Sequence, residues 1–403
     1  MKKDFDVVIA GAGMVGLVTA ALLAQSPCRK QLKITLVDAG KRPQFRAGND
    51  IALRVSAISR GSLSILQDVG VWQQIMSQRA GPYRRMRVWD SRASVEGPDT
   101  LRFDAADFAV PELGFIVENV LIQHALLQRL DDLDVDMRFE TPIAHTSLGG
   151  EEHRIDIQLQ SGSSISADLL IGADGAASLV RESAGISVRT WDYPQSAFVT
   201  HVMPERSHQE TAWQRFLNEG PLAFLPLQDG RISVVWSTTP EKADRAMSAS
   251  DAELAAMLEQ ASDEVLGKLE AAGPRGSFPL RSQHAQDYVM PGLALVGDAA
   301  HAVHPLAGQG ANLGIADAAA LVTVVSEAVL RGEYPGDLPT LRRYERRRKG
   351  ANQTMLLFID ALNRLFLSNS AVIAGLRGTG MRLFNQSGPI HRRAVQVALG
   401  INV

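Results

Sequence analysis

"FDVVIAGAGMVGLVTAALLAQ", residues 5 to 25, sets three glycines between an apolar run and an Ala- and Leu-rich run. Phe5 to Ala10 is apolar and β-branched around a single aspartate, the composition of a buried strand. Gly11, Gly13 and Gly16 follow at GxGxxG spacing, and the residues after them continue as a helix. A second strand, "KITLVD", ends in Asp38, 22 residues beyond Gly16. That interval is close to the roughly 20 residues expected of a dinucleotide-binding βαβ unit. Each residue has a physical part. Gly11 permits the turn, Gly13 lets the backbone approach a pyrophosphate, and Gly16 lets helix pack on strand, while the helix N-terminus favours phosphate charge. Asp38 would accept hydrogen bonds from the adenosine ribose. At this point the dinucleotide is either NAD or FAD.

Composition narrows the remaining possibilities. With 403 residues, 45% of them hydrophobic, the chain can bury a large core in two domains or one interleaved body. A formal charge of −3 gives no general affinity for nucleic acid, so any basic patch is local. One cysteine, Cys28, excludes an internal disulfide framework and a multi-cysteine metal site. The start of the chain, "MKKDFDVVIAGAG", has two lysines and an apolar run but no cleavage site. No window approaches 18 uninterrupted apolar residues. A cytoplasmic protein is expected, without a signal peptide or transmembrane helix.

Two further stretches repeat the strand-then-turn form. "DLLIGADGAASLVRESAG" (168 to 185) places Asp174 and Gly175 at a turn, and "LALVGDAAH" (293 to 301) places Gly297 and Asp298 just past an apolar strand. With these three motifs in order, the chain resembles the FAD-dependent aromatic hydroxylases of the para-hydroxybenzoate hydroxylase fold. Within them it is most similar to the bacterial ubiquinone-biosynthesis hydroxylases. The resemblance is carried by "LRVSAIS" (53 to 59), "GVW" (70 to 72), "PYRRMRVWD" (82 to 90), "VEN" (117 to 119), "WQRF" and "GPLAFLPL" (within 213 to 227), "HPLAGQGANLG" (304 to 314) and "ALG" (398 to 400).

The resemblance implies an α/β fold: a Rossmann-like FAD-binding domain interleaved with an antiparallel-sheet substrate domain, plus C-terminal helices. It divides the chain into a discontinuous FAD-binding domain (1–75, 100–182 and 285–340), a substrate domain (76–99 and 183–284) and a C-terminal helical region (341–403). Asp298 would bind ribityl or ribose hydroxyls, and the loop from Pro305 through Gly308, Gln309, Gly310, Ala311 and Asn312 would lie against the isoalloxazine. Backbone N–H groups at that helix start would stabilise negative charge on the reduced ring, and Pro305 would stiffen the loop. Arg54 would contact the pyrophosphate or the flavin edge, and Gln123 the adenine half.

The implied reaction is hydroxylation of a prenylated phenol in ubiquinone biosynthesis through a flavin hydroperoxide, with NADPH, or alternatively NADH, as donor and O₂ as co-substrate. A non-catalytic flavoprotein scaffold of a biosynthetic assembly, or a hydroxylase of another aromatic substrate, is the alternative. No catalytic base is identified. The ring carbon oxidised is left open, with some likeness to the enzyme acting on the late demethoxy position.

Other features are weighed separately. His301 and His304 form an HxxH, but no glutamate base or cysteine accompanies them, so no metal site is expected; they are read as polar loop residues near the cofactor. "LAFLPLQDGRISVVWST" reads as two strands joined by a hairpin at Asp229 and Gly230, with Phe216, Phe224 and Trp236 as candidates to line the pocket. Residues 331–403 carry 12 Lys/Arg and 4 Asp/Glu, a local net of +8 concentrated in "LRRYERRRKG" (341 to 350). Met355, Leu356, Ile359, Leu362, Leu365 and Phe366 then recur at helical spacing. Either this stripe packs on the FAD domain, or the region is a basic amphipathic surface for the inner face of the membrane or for partners in the pathway. Association between copies of the chain stays open.

Overall fold

The computed structural model describes residues 4–148, 154–304, 308–367, 371–388, 392–393, 396 and 400. Pro305, expected at the flavin, lies outside the described residues, as do Ala398 and Leu399 of the terminal motif.

The opening stretch folds as strand Phe5–Ala10, a turn, and helix Met14–Ala24 with Gly13 at its N-cap. The strand pairs in parallel with Leu32–Val37 on one side and Leu169–Gly172 on the other, and Leu169–Gly172 pairs in parallel with Leu293–Leu295. Val7, Val8, Ile9 and Ala10 are all buried, as befits a parallel strand covered on both faces. Because these strands run the same way, their C-terminal ends share one edge of the sheet. Gly11, the Asp174–Gly175 turn and the Gly297–Asp298 turn therefore lie side by side, although nearly 290 residues separate the first from the last.

Helices Met14–Ala24, Asn119–Asp132 and Gln309–Leu330 pack into the core of this lobe. Gln309–Leu330 is long and apolar enough to cross a membrane. In this fold Ile315, Ala318, Leu321, Val324 and Val325 are fully buried in that core.

The second lobe is a large mixed sheet ordered His301–Ala302, Gly276–Ala285, Val188–Pro204, Ile232–Thr238, Gly220–Pro226, Thr211–Leu217, Arg85–Asp90, Leu101–Asp104. The expected hairpin is present, with Gly230 at φ +91° closing the turn between two antiparallel strands. One face of the sheet is buried under helices Pro240–Ser248 and Asp251–Ser262 by Phe198, Leu222, Phe224, Val234 and Trp236. Phe224 and Trp236 thus belong to this core and do not line a pocket. Strand alternation puts Phe216 on the opposite face, where it stacks on Phe366 with ring centroids 3.8 Å apart.

Three strands depart from the expected division, among them His301–Ala302, which falls within 285–340 but forms an edge of the large sheet. Ala80–Tyr83 pairs with Gly114–Glu118, which also pairs with Val55–Ser59 in a separate three-stranded sheet, while Leu101–Asp104 joins the large sheet through Arg85–Asp90. Helix Leu338–Leu367 contacts elements of both lobes. Its basic run is not one solvated face: Arg342, Arg346 and Arg347 are exposed, but Arg348 turns inward onto Asp317. Leu356, Ile359 and Phe366 of the expected stripe are buried, whereas Leu365 is exposed.

Candidate active site

Two of the three glycines in the first turn are explained by the protein itself. A Cβ on Gly11 would come 2.4 Å from the carbonyl oxygen of Ala173, and one on Gly16 would come 2.0 Å from that of Gly11. These contacts lock the first turn to the Asp174 turn. Gly13 is different. Its φ of −67° suits any residue, and a Cβ there would meet nothing within 4 Å. Backbone at a helix N-cap facing open space is the cradle that a pyrophosphate needs.

Asp38 stands at the end of the neighbouring strand. Its carboxylate accepts from the N–H of Ala12 at 2.5 Å and of Gly40 at 2.7 Å, so it also braces the turn. Gln123 donates to the carbonyl of Ala12 at 3.2 Å and holds the same turn. Its amide is therefore engaged with the turn itself. One carboxylate oxygen of Asp174 accepts from Val180 N–H at 3.1 Å, and the other is buried without a hydrogen-bond partner. Gly175 supplies the left-handed backbone at φ +84°.

The Gly297–Asp298 turn is the seam between the lobes: Leu293–Leu295 belongs to the parallel sheet, and His301–Ala302 to the large one. Gly297 and Ala299 are buried, but Asp298 reaches solvent. A solvent-reaching carboxylate between buried neighbours sits at the floor of a cleft. The surrounding protein strips its hydration and pushes its carboxyl pKa up, while the charges of His301 and Arg54 pull it down. Arg54 is exposed, with its guanidinium 5.4 Å from the centroid of the Phe278 ring. Asp298 and Arg54 therefore sense one another across the same cleft.

Beside Asp298, helix Gln309–Leu330 begins after Gly308, which is left-handed at φ +61°. Gly310 and Ala311 present first-turn amides there. Asn312 turns its side chain to the protein's own backbone. Its amide oxygen accepts from Ser59 N–H at 2.9 Å, and its nitrogen donates to the carbonyls of Ala57 at 2.8 Å and Gly308 at 3.1 Å. It thus pins the helix start to strand Val55–Ser59.

The inner face of the large sheet looks onto these turns. The two lobes touch around its rim: Leu53 against Gly276, Gly81 against Pro226, and the His304 ring edge-on to Tyr193 at 5.1 Å. At its centre Val199, Ala223 and Val235 are only half-buried, although their outward neighbours Phe198, Phe224 and Trp236 are completely buried. Mid-strand residues in mid-sheet stay accessible only where nothing packs on them. The result is an apolar cleft between sheet and turns.

His301 and His304 are both buried, His301 in the short strand His301–Ala302 and His304 in the loop that follows it. His301 donates from Nε2 to Asp317 at 2.5 Å. Burial holds the pKa of His304 down at about 4.

Sequence reasoning missed several residues that knit the motifs together. Arg181 donates to the carbonyls of Ala299 and Ala176, both at 2.9 Å, and Gln283 to those of Ala176 at 2.7 Å and Asp298 at 3.1 Å. Asp317, the lone acid in "LGIADAAALV", was the one signal available: an unpaired charge does not belong in a buried helix.

The geometry fits an extended dinucleotide. The open cradle at Gly13, the orphaned Asp174 oxygen and the accessible Asp298 follow one another along the edge of the parallel sheet, and the last opens on an apolar cleft.

Known proteins agree with this arrangement. The family described as FAD binding domain matches residues 4–358. The 3-demethoxyubiquinol 3-hydroxylase of Escherichia coli (strain K12) is 37% identical over 400 residues, covering 99% of this chain and 100% of that protein. Ubiquinone hydroxylase UbiL of Rhodospirillum rubrum is 36% identical over 398 residues, covering 99% and 90%. The crystal structure of p-nitrophenol 4-monooxygenase PnpA from Pseudomonas putida shares the fold with a TM-score of 0.76 at 17% identity, and each chain is covered completely.

Proposed function

This chain belongs to the FAD binding domain family and, within it, to the ubiquinone-biosynthesis hydroxylases, and from that premise we propose that it hydroxylates the aromatic ring of a prenylated phenol that carries no carboxylate. FAD, when bound, supplies the reduction by NADPH and the activation of O₂ that ring hydroxylation requires. The chain's own residues do the rest. Asp38, Gly13 and Asp298 hold the cofactor along the sheet edge, the amides of Gly310 and Ala311 favour negative charge at the helix start, and the sheet keeps the reacting ring out of bulk water.

The observation that carries the reading is the inner face of the sheet. Between the Asp90–Arg377 pair at one end and His201 at the other, its described inward side chains include Met86, Val88, Gln214, Ala223, Val235 and Val199, together with the hydroxyls of Ser233 and Ser237, and the described strands place no cation among them. A carboxylate seated against this face would find no cation on the sheet to pair with, Arg54 standing across the cleft beside Asp298, and its burial there would cost several kcal/mol. A neutral ring with an apolar tail meets no such penalty.

The ring carbon belongs to the same proposal: the late demethoxy position, for which the E. coli relative is named. Complementation of strains each lacking one ring hydroxylase, with quinone intermediates identified by mass, tests it. Rescue of the demethoxy-accumulating strain alone is expected, and rescue of only an earlier step would overturn the assignment.

The lipid character of such a substrate gives the long helix a second part. Opposite its buried side, helix Leu338–Leu367 exposes Arg346 and Arg347, then Leu357, Phe358, Arg364 and Leu365. Apolar side chains facing solvent between arginines are the composition of a surface that rests on anionic lipid. Peripheral association of this face with the membrane follows as part of the proposal.

A further inference from the structure

We propose that Asp317 and Arg348 form a positioning pair that couples the cofactor-binding turn to the long C-terminal helix, a role that rests on the FAD reading above. The carboxylate of Asp317 is fully buried in helix Gln309–Leu330. One of its oxygens accepts from Gly297 N–H at 3.2 Å and His301 Nε2 at 2.5 Å. The other accepts from Arg348 Nε at 2.7 Å and Asn352 Nδ2 at 2.9 Å. Four donors from the turn, the seam strand and the long helix thus converge on one charge, which uses its full accepting capacity.

The consequence for the site is direct. The N–H of Gly297 belongs to the residue before Asp298, so the carboxylate fixes the backbone from which Asp298 faces the cleft. The long helix grips the same turn a second time, where Tyr344 donates to the carbonyl of Leu295 at 2.7 Å. Arg348 also donates to Asn352 Oδ1 at 2.8 Å, and Asn352 reaches the Tyr288 hydroxyl at 3.4 Å. Farther along, Met355 and Leu362 of that helix pack with Val88 and Phe216 of the large sheet. One helix therefore carries both the support of the cofactor turn and part of the wall beside the cleft. Without Arg348 the buried Asp317 would lose its guanidinium partner. By linkage, whatever orders the turn orders the helix, and the converse holds equally.

The test compares wild type with Arg348→Met and Arg348→Lys. FAD dissociation constants are measured by titration of the apoprotein, and hydrogen exchange of the amides of residues 338–352 is followed with and without FAD. Arg348→Met should weaken FAD binding by about 5- to 150-fold, the range of coupling between linked sites. Arg348→Lys should recover part of that loss, since an ammonium restores the charge but not the planar fork. In wild type FAD should slow exchange along 338–352, and in Arg348→Met it should not. If Arg348→Met binds FAD within about twofold of wild type, even with a lowered melting temperature, the pair holds the fold and nothing more. Should Arg348→Met fail to fold, the wild-type exchange measurement decides: slowing along 338–352 on FAD binding supports the coupling, and unchanged exchange overturns it. A wild type that takes up no FAD would instead sink the cofactor assignment and leave the pair's hydrogen bonds as they are.

Discussion

Asp298 and the histidines around its turn stand in opposite relation to water. Asp298 meets solvent at the floor of the cleft, so its charge is available to a ligand hydroxyl. Replacing it by alanine should weaken FAD retention by about 1.5–3 kcal/mol, the worth of a hydrogen bond to a charged group; titration of the apoprotein with FAD reads this, and unchanged affinity would remove Asp298 from the site. His284 and His304 are buried, and desolvation holds both near pKa 4, with the charges of His301 and Lys349 adding to the effect at His284. An unfolded chain binds those protons near pH 6.5 and the folded one does not. Stability is therefore complete above about pH 6.5 and lost as pH falls toward 4, by roughly 3 kcal/mol per histidine. Urea unfolding across that window should show the slope, and His284→Gln should flatten it. A stability independent of pH between 4 and 6.5 would contradict the buried neutral assignment.

Among the elements, the glycine turns divide into those made by packing and those open to a ligand. Gly16→Ala forces a Cβ into the backbone of Gly11, and Gly314→Ala would place one 2.5 Å from Val15. Either should lower the melting temperature of the apoprotein. Gly13→Ala and Gly310→Val sit where a Cβ meets nothing within 4 Å, or only Val303 at 3.6 Å. They should leave the apoprotein's melting temperature nearly unchanged while weakening FAD uptake. If Gly13→Ala unfolded the protein, or bound FAD as wild type does, the open face above the turn would not be where the pyrophosphate lies.

For the whole molecule, the long helix relates the two lobes to its exposed face. Arg346 and Arg347 can be changed without touching the buried network, whereas Arg348 cannot. Arg346→Gln with Arg347→Gln should cost about 1 kcal/mol of binding to anionic vesicles per arginine at low salt. Leu357→Ser with Phe358→Ser should remove the apolar part, and FAD content should be unaffected in both variants. Sedimentation with vesicles containing anionic lipid measures this. Wild type that never sediments with them would mark the face as merely solvated.

The amino-acid sequence by itself determined the strand-turn-helix at Gly11, the acid at Asp38, the three-motif order and the hairpin at Asp229, because each depends on spacing along a single segment or on side chains with one conformational use. From the sequence came also the family and with it the flavin chemistry. Tertiary structure alone decided what each polar side chain near the site is bonded to. Asn312 and Gln123 brace backbone, His301 is sealed against Asp317, and Arg348 is a buried partner within a run that reads as uniformly basic. Periodicity tells which side of a helix is apolar but not which distant carboxylate faces a cation there. Likewise Phe216 and Phe224 are indistinguishable in composition, and only the helices packed on one face of the sheet make the second of them core and leave the first on the side of the cleft. Such assignments rest on contacts between residues tens to hundreds of positions apart, whose energies exist only once the parallel strands have brought the three turns to one edge.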